Sequence, residues 1–176
     1  MARQKAKALF YVLLFILIGW PIVQMYQVYV AKPEQENATV LLHQVSMFQL
    51  QLLQSVTTEA AGAGSTGSLN SLQQAAYTMQ FVHQRLELAA GKGKVAGLEA
   101  LADFQQYLLS LQITGNRALR PEETQVLERM NKFVGSLQPI YGRLITDEGK
   151  VSKPANEELA QADEAMRQFL QEVLLE

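Results

Sequence analysis

The order of apolar and polar positions divides the chain into one uninterrupted apolar stretch and a series of periodic ones. Between Ala8 and Val23 no residue is charged, and Leu9, Phe10, Leu13, Leu14, Phe15, Ile16, Leu17, Ile18, Trp20 and Ile22 supply a helix that is apolar on every face. Continued through Val30, the segment spans about 34 Å as a helix at ~1.5 Å per residue, enough to cross a bilayer. Its second half sets Gln24 and Gln27 among Tyr26 and Tyr29, a mixture suited to the headgroup layer, where these tyrosines and Trp20 resemble an aromatic belt. Pro21 removes one backbone donor and predicts a kink.

Beyond Pro33 the apolar residues recur every three or four positions, the period of amphipathic helices. Val40-Leu41, Val45, Phe48, Leu52 and Val56 predict a first helix over about 35–60, broken by the Gly62–Ser68 stretch. A second runs from Leu69 to Ala90 with Leu72, Ala76, Met79, Val82, Leu86 and Ala89 on one stripe and Ser68 as its N-cap. A third covers Val95 to about Ile113 and ends at Gly115-Asn116. Pro121-Glu122-Glu123 opens a fourth, with proline in the first turn and acids at the positive end of the helix dipole, and Pro139 should bend it near its end. Asp147–Pro154 links it to a fifth, capped by Asn156, with Leu159, Ala162, Met166, Phe169, Leu170 and Val173 inward.

No stretch alternates with the period of two that marks a strand. The expected fold is all-α: one N-terminal transmembrane helix followed by an extracytoplasmic antiparallel four- to five-helix bundle. Residues 1–7 form a short basic cytoplasmic tail, 8–30 the signal-anchor helix and 31–176 the bundle, which is long enough for a core without metals or disulfides.

Charge fixes the orientation of this arrangement. Residues 1–32 carry Arg3, Lys5, Lys7 and Lys32 and no acid, whereas residues 33–176 hold eleven Lys/Arg against all seventeen Asp/Glu, a net of −6. Positive residues before the span keep the N-terminus cytoplasmic and put the bundle outside the cell membrane. The acidic remainder is a poor partner for nucleic acid. A cleaved signal is the rival reading, but a cut after Ala31 sets bulky Tyr29 where a small residue is wanted.

Chemistry is sparse. The chain has no cysteine, which excludes thiol nucleophiles, disulfides and Cys-based metal sites. Neither His43 nor His83 belongs to a Glu-x-x-His pair, and His83 with Glu87 one turn on supplies only two ligands, so no metal and no cofactor is expected. Gly91-Lys92-Gly93-Lys94-Val95-Ala96 spells a relaxed dinucleotide pattern, but a helix rather than a strand precedes it. Asn37-Ala38-Thr39 spells a glycosylation sequon. Only Glu59 is charged between Asn37 and Gln84, and this neutral pair of helices, with Phe48, Phe81 and His83, is the candidate interaction face for a helix or a lipid surface.

Leu98-Glu99-Ala100-Leu101-Ala102-Asp103-Phe104, followed by Leu119-Arg120-Pro121-Glu122-Glu123-Thr124 opening a helix, resembles the corresponding region of the YpeB family of spore-germination proteins. That family shares a short basic N-terminus, one membrane helix and an extracytoplasmic helical region, and the resemblance implies an accessory role in germination or envelope assembly. In architecture the chain also resembles the helical sensing bundles of bacterial receptors. The function expected is that of a non-enzymatic, single-pass membrane-anchored interaction or scaffold protein of the envelope. Its partners would be the lipid bilayer and a protein partner, with homo-oligomerisation compatible; ligand sensing is the alternative.

Overall fold

The computed structural model describes Trp20 and residues 38–175, and the described residues form a bundle of five α-helices without strands. The first, α1, is described over 38–62; α2 is Asn70–Ala90, α3 Glu99–Ile113, α4 Pro121–Tyr141 and α5 Lys153–Leu175. Among these residues no helix is long and apolar enough to cross a membrane. The expected anchor, 8–30, and the basic residues Arg3, Lys5 and Lys7 lie outside the described residues, apart from Trp20, which is exposed.

Polar cross-ties give the direction of each helix. Within the first pair, α1 and α4 are antiparallel: His43 Nε2 bonds the Tyr141 carbonyl at 2.6 Å and, further along α1, Gln54 bonds Asn131. Likewise Gln80 meets Gln105, and Asn70 meets Gln112, so α2 opposes α3. Arg143 pairs with Glu158 while Arg129 lies over Phe169, so α4 opposes α5. By contrast, α3 and α5 are parallel neighbours, with Asp163 at Ala100 and Arg167 at Asp103. The antiparallel expectation therefore holds for helices joined by short loops and gives way where α4 intervenes between α3 and α5. The core uses Leu72, Met79, Leu86, Leu101, Phe104, Leu108, Leu127, Met130, Leu137, Tyr141, Leu159 and Leu170, all fully buried or nearly so.

Several helix ends differ from the expected ones, each for a tertiary reason. Ser68 does not cap α2: it sits in a 3-10 turn, Thr66–Leu69, and its hydroxyl donates to the Ser65 carbonyl at 2.6 Å. The third helix starts at Glu99 rather than Val95, because Asp163 from α5 accepts the backbone N–H groups of Glu99 and Ala100 at 3.2 and 2.9 Å and so acts as its cap from a distance. Asn156 lies inside α5, which begins at Lys153, and its Oδ1 accepts the Ala96 N–H at 2.7 Å, pinning the preceding loop. The fourth helix opens as its sequence predicts: Pro121 is in the first turn and the Glu123 carboxylate accepts the Arg120 N–H at 2.8 Å. It runs through Pro139 and ends at Tyr141.

Candidate interaction surface

The two faces of α1 are unlike. Toward the bundle it buries Thr39, Ser46, Leu50, Leu53, Thr57 and Ala60. Ser46 and Thr57 turn their hydroxyls back onto the Leu42 and Leu53 carbonyls at 2.8 and 2.6 Å, so these polar groups are satisfied within the helix. Leu41, Val45, Phe48 and Leu52, from the apolar period that predicted this helix, point the other way and are 37–63% exposed. Periodicity identified this stripe as one face; it could not say which of two apolar faces the bundle would take.

Of the three residues expected to form an interaction face, Phe48 and Phe81 are exposed and His83 is not. Phe81 belongs to a second outward strip on α2: its ring stacks on Tyr77 at 6.5 Å, Arg85 lies 4.6 Å over it, and Leu88 is 62% exposed further along. The guanidinium covers one ring face and leaves this strip partly polar.

His83 is fully buried and removed from that face by its hydrogen bonds. The Tyr141 hydroxyl lies 2.5 Å from Nδ1, and Nε2 lies 2.8 Å from the Ala96 carbonyl and 3.3 Å from Glu87. A carbonyl only accepts, so Nε2 carries the proton, and Tyr141 donates to Nδ1. Burial holds the imidazole down at about 4, against the weaker upward pull of the Ala96 carbonyl, and raises Glu87 and Tyr141. The arrangement ties α2, α4 and the loop before α3 at one end of the bundle. It leaves the ring no free nitrogen for a metal, and among the described residues no cluster of three metal-ligating side chains exists. The Gly91–Ala96 loop is likewise engaged: Ala96 gives its N–H to Asn156 and its carbonyl to His83.

A groove of about 520 Å³ lies between the far ends of α3, α4 and α5, walled by Leu111, Val126, Phe169 and Val173 together with Arg120, Glu122 and Gln125. Tyr107, only 6% exposed, lines it, and its hydroxyl has no hydrogen-bond partner among the described residues; burial, with Glu123 and Glu122 nearby, pushes it up to about 12. Arg129 stacks 3.9 Å over Phe169 without an ion-pair partner among the described residues. Arg117 clamps Glu123 from the rim with both terminal nitrogens, at 2.8 and 2.5 Å, and holds that carboxyl below its usual range. Nothing in the spacing of Tyr107, Arg129 and Phe169 marks this groove, because it joins three helices distant in sequence.

No protein-family model, characterised protein or solved structure matches this chain.

Proposed function

We propose that this chain is a non-enzymatic, single-pass membrane-anchored helical bundle that acts as an interaction or scaffold module at the cell envelope. The observation that carries the reading is the outward stripe of Leu41, Val45, Phe48 and Leu52 on the helix that follows the apolar segment 8–30. Large apolar side chains scattered singly over a surface are ordinary, but four in one row along a helix mark a binding face. Support for the anchor comes from the length of the apolar segment and from Arg3, Lys5 and Lys7 before it, which favour a cytoplasmic N-terminus and an external bundle. A germination or envelope-assembly role is a narrower form of this reading, supported by the resemblance of residues 98–104 and 119–124.

Alkaline carbonate extraction of cell membranes tests the anchor, which predicts retention in the pellet; release of the chain would refute it. Protease added to intact, wall-stripped cells should digest the bundle, and protection would overturn the orientation. A photocrosslinking amino acid at position 48 should capture a protein, whereas one at the exposed Glu128 should not; equal capture at both would remove the stripe as the binding face.

Ligand sensing is favoured by a separate observation, a groove in which Tyr107 and Phe169 sit beside the charged Arg120, Glu122 and Arg129. Its test is a thermal-shift screen of the full chain with small amphipathic acids, in which stabilisation of the native chain but not of a Tyr107→Phe, Arg129→Ala variant is expected. Absence of any stabilising compound counts against it.

A further inference from the structure

We infer that the outward face of α1 is the seam of a parallel homodimer, in which Leu41, Val45, Phe48 and Leu52 meet the same residues of a second copy. This rests on the interaction role proposed above and identifies its partner.

The spacing of the four residues is that of a coiled-coil seam. Steps of four, three and four place Leu41 and Phe48 at d and Val45 and Leu52 at a of a heptad. In the same register the buried residues Thr39, Ser46, Leu50, Leu53, Thr57 and Ala60 fall at b and f. At 100° per residue those positions lie on the opposite side of the helix from the a/d line. A second helix can therefore approach the seam without displacing the bundle from α1.

Electrostatics selects the occupant. The flanking e and g positions are Leu42, Gln44, Gln49, Gln51, Val56 and Thr58, all uncharged, so two identical helices meet without like-charge repulsion. A membrane surface fits less well: no Lys or Arg occurs between Lys32 and Arg85, and interfacial helices draw on such residues to hold anionic lipid. A charged partner would find no complement on this strip.

Length explains why the seam needs a second copy held beside the first. The next d and a positions are Ser55 and Glu59, so the apolar line stops after Leu52, and a coiled coil of about two heptads is marginal alone. Two chains anchored in one bilayer through residues 8–30 project α1 in the same direction, and confinement to the membrane plane raises the rate at which the two seams meet. Parallel, in-register pairing is the geometry that this anchoring enforces, and it has the closed two-fold symmetry of an isologous contact.

The absence of native cysteine makes the test direct. Full-length Leu41→Cys, Val45→Cys, Phe48→Cys and Leu52→Cys variants, with Glu128→Cys on the exposed side of α4 as control, are oxidised in native membranes with copper phenanthroline. All four seam variants should give a species of twice the monomer mass, at least about tenfold above the control, and Phe48→Glu in the Val45→Cys background should reduce it about tenfold. Crosslinks at 45 and 48 without self-pairing at 41 and 52 would overturn the parallel register. No doubled species, an adduct of another mass, or seam cysteines shielded from aqueous maleimide as monomers would overturn the dimer. Carbonate extraction of the same membranes separates the two claims: retained, uncrosslinked chain refutes the seam while the anchor stands. Released chain that still crosslinks at all four positions refutes the anchor and leaves the seam.

Discussion

His83 is neutral in the folded chain, where burial holds it down at about 4, and titrates near 6.5 once unfolded. Between those values the unfolded chain binds more protons, so the contribution to stability is complete above the unfolded value and is lost as pH falls toward the folded one. Lowering the pH from about 7.5 to about 5.0 should remove about 2 kcal/mol through this one residue. Glu87 and Asp163 act in the opposite sense, since burial raises both and folding then favours their protonated forms. The comparison that isolates His83 is therefore with His83→Phe, in which the carboxyls remain and the ring cannot titrate. That variant leaves the Ala96 carbonyl and the Tyr141 hydroxyl unpaired and should be less stable by about 1–3 kcal/mol at neutral pH. Urea unfolding of both full-length chains in nonionic micelles, followed by circular dichroism, should show the gap between them closing by about 2 kcal/mol as pH falls. A gap that stays constant across this range would refute the buried, neutral histidine.

The two buried tyrosines should respond differently to loss of a hydroxyl. Tyr141→Phe strips the Nδ1 donor from His83 and should cost about 1–3 kcal/mol, whereas Tyr107→Phe removes an unpaired group and should stay within about 0.5 kcal/mol of the native chain in the same unfolding assay. Asp163→Ala should cost about 1 kcal/mol and speed amide exchange at Glu99 and Ala100 in particular, because it uncaps α3. Glu123→Gln weakens the Arg117 clamp and should lower stability by about 1 kcal/mol at neutral pH. The loss should vanish in strong acid, since a lowered carboxyl contributes above its unfolded value and ceases to do so as pH falls through its folded one.

The number and order of helices were legible because each carries its own apolar period and most are separated by glycine or proline. What escaped was whatever depends on another helix. Asp163 reads as an ordinary helix residue and Asn156 as the cap of its own helix, yet one caps α3 and the other fixes the loop before it; no local signal connects them to partners some 60 residues away. His83 follows Met79 by four and precedes Leu86 by three, which sets it on their inward stripe, but the partners of its ring are fixed only when Tyr141 arrives from α4. The seam on α1 shows the limit most clearly. Leu50 and Leu53 lie on one face and Leu41, Val45, Phe48 and Leu52 on the other, so the sequence supports either as core until α4 is docked.

Five is an odd number of alternating helices, and parity has a spatial result. Residue 38 enters at the end of the bundle where the His83 ties lie, and α5, about 34 Å long at ~1.5 Å per residue, carries residue 175 to the opposite end. An even count would have returned the chain to its point of entry. This bundle is instead a strut: it holds whatever precedes residue 38 and whatever is joined after residue 175 apart by its full height, and a reporter fused there stands clear of the point of entry.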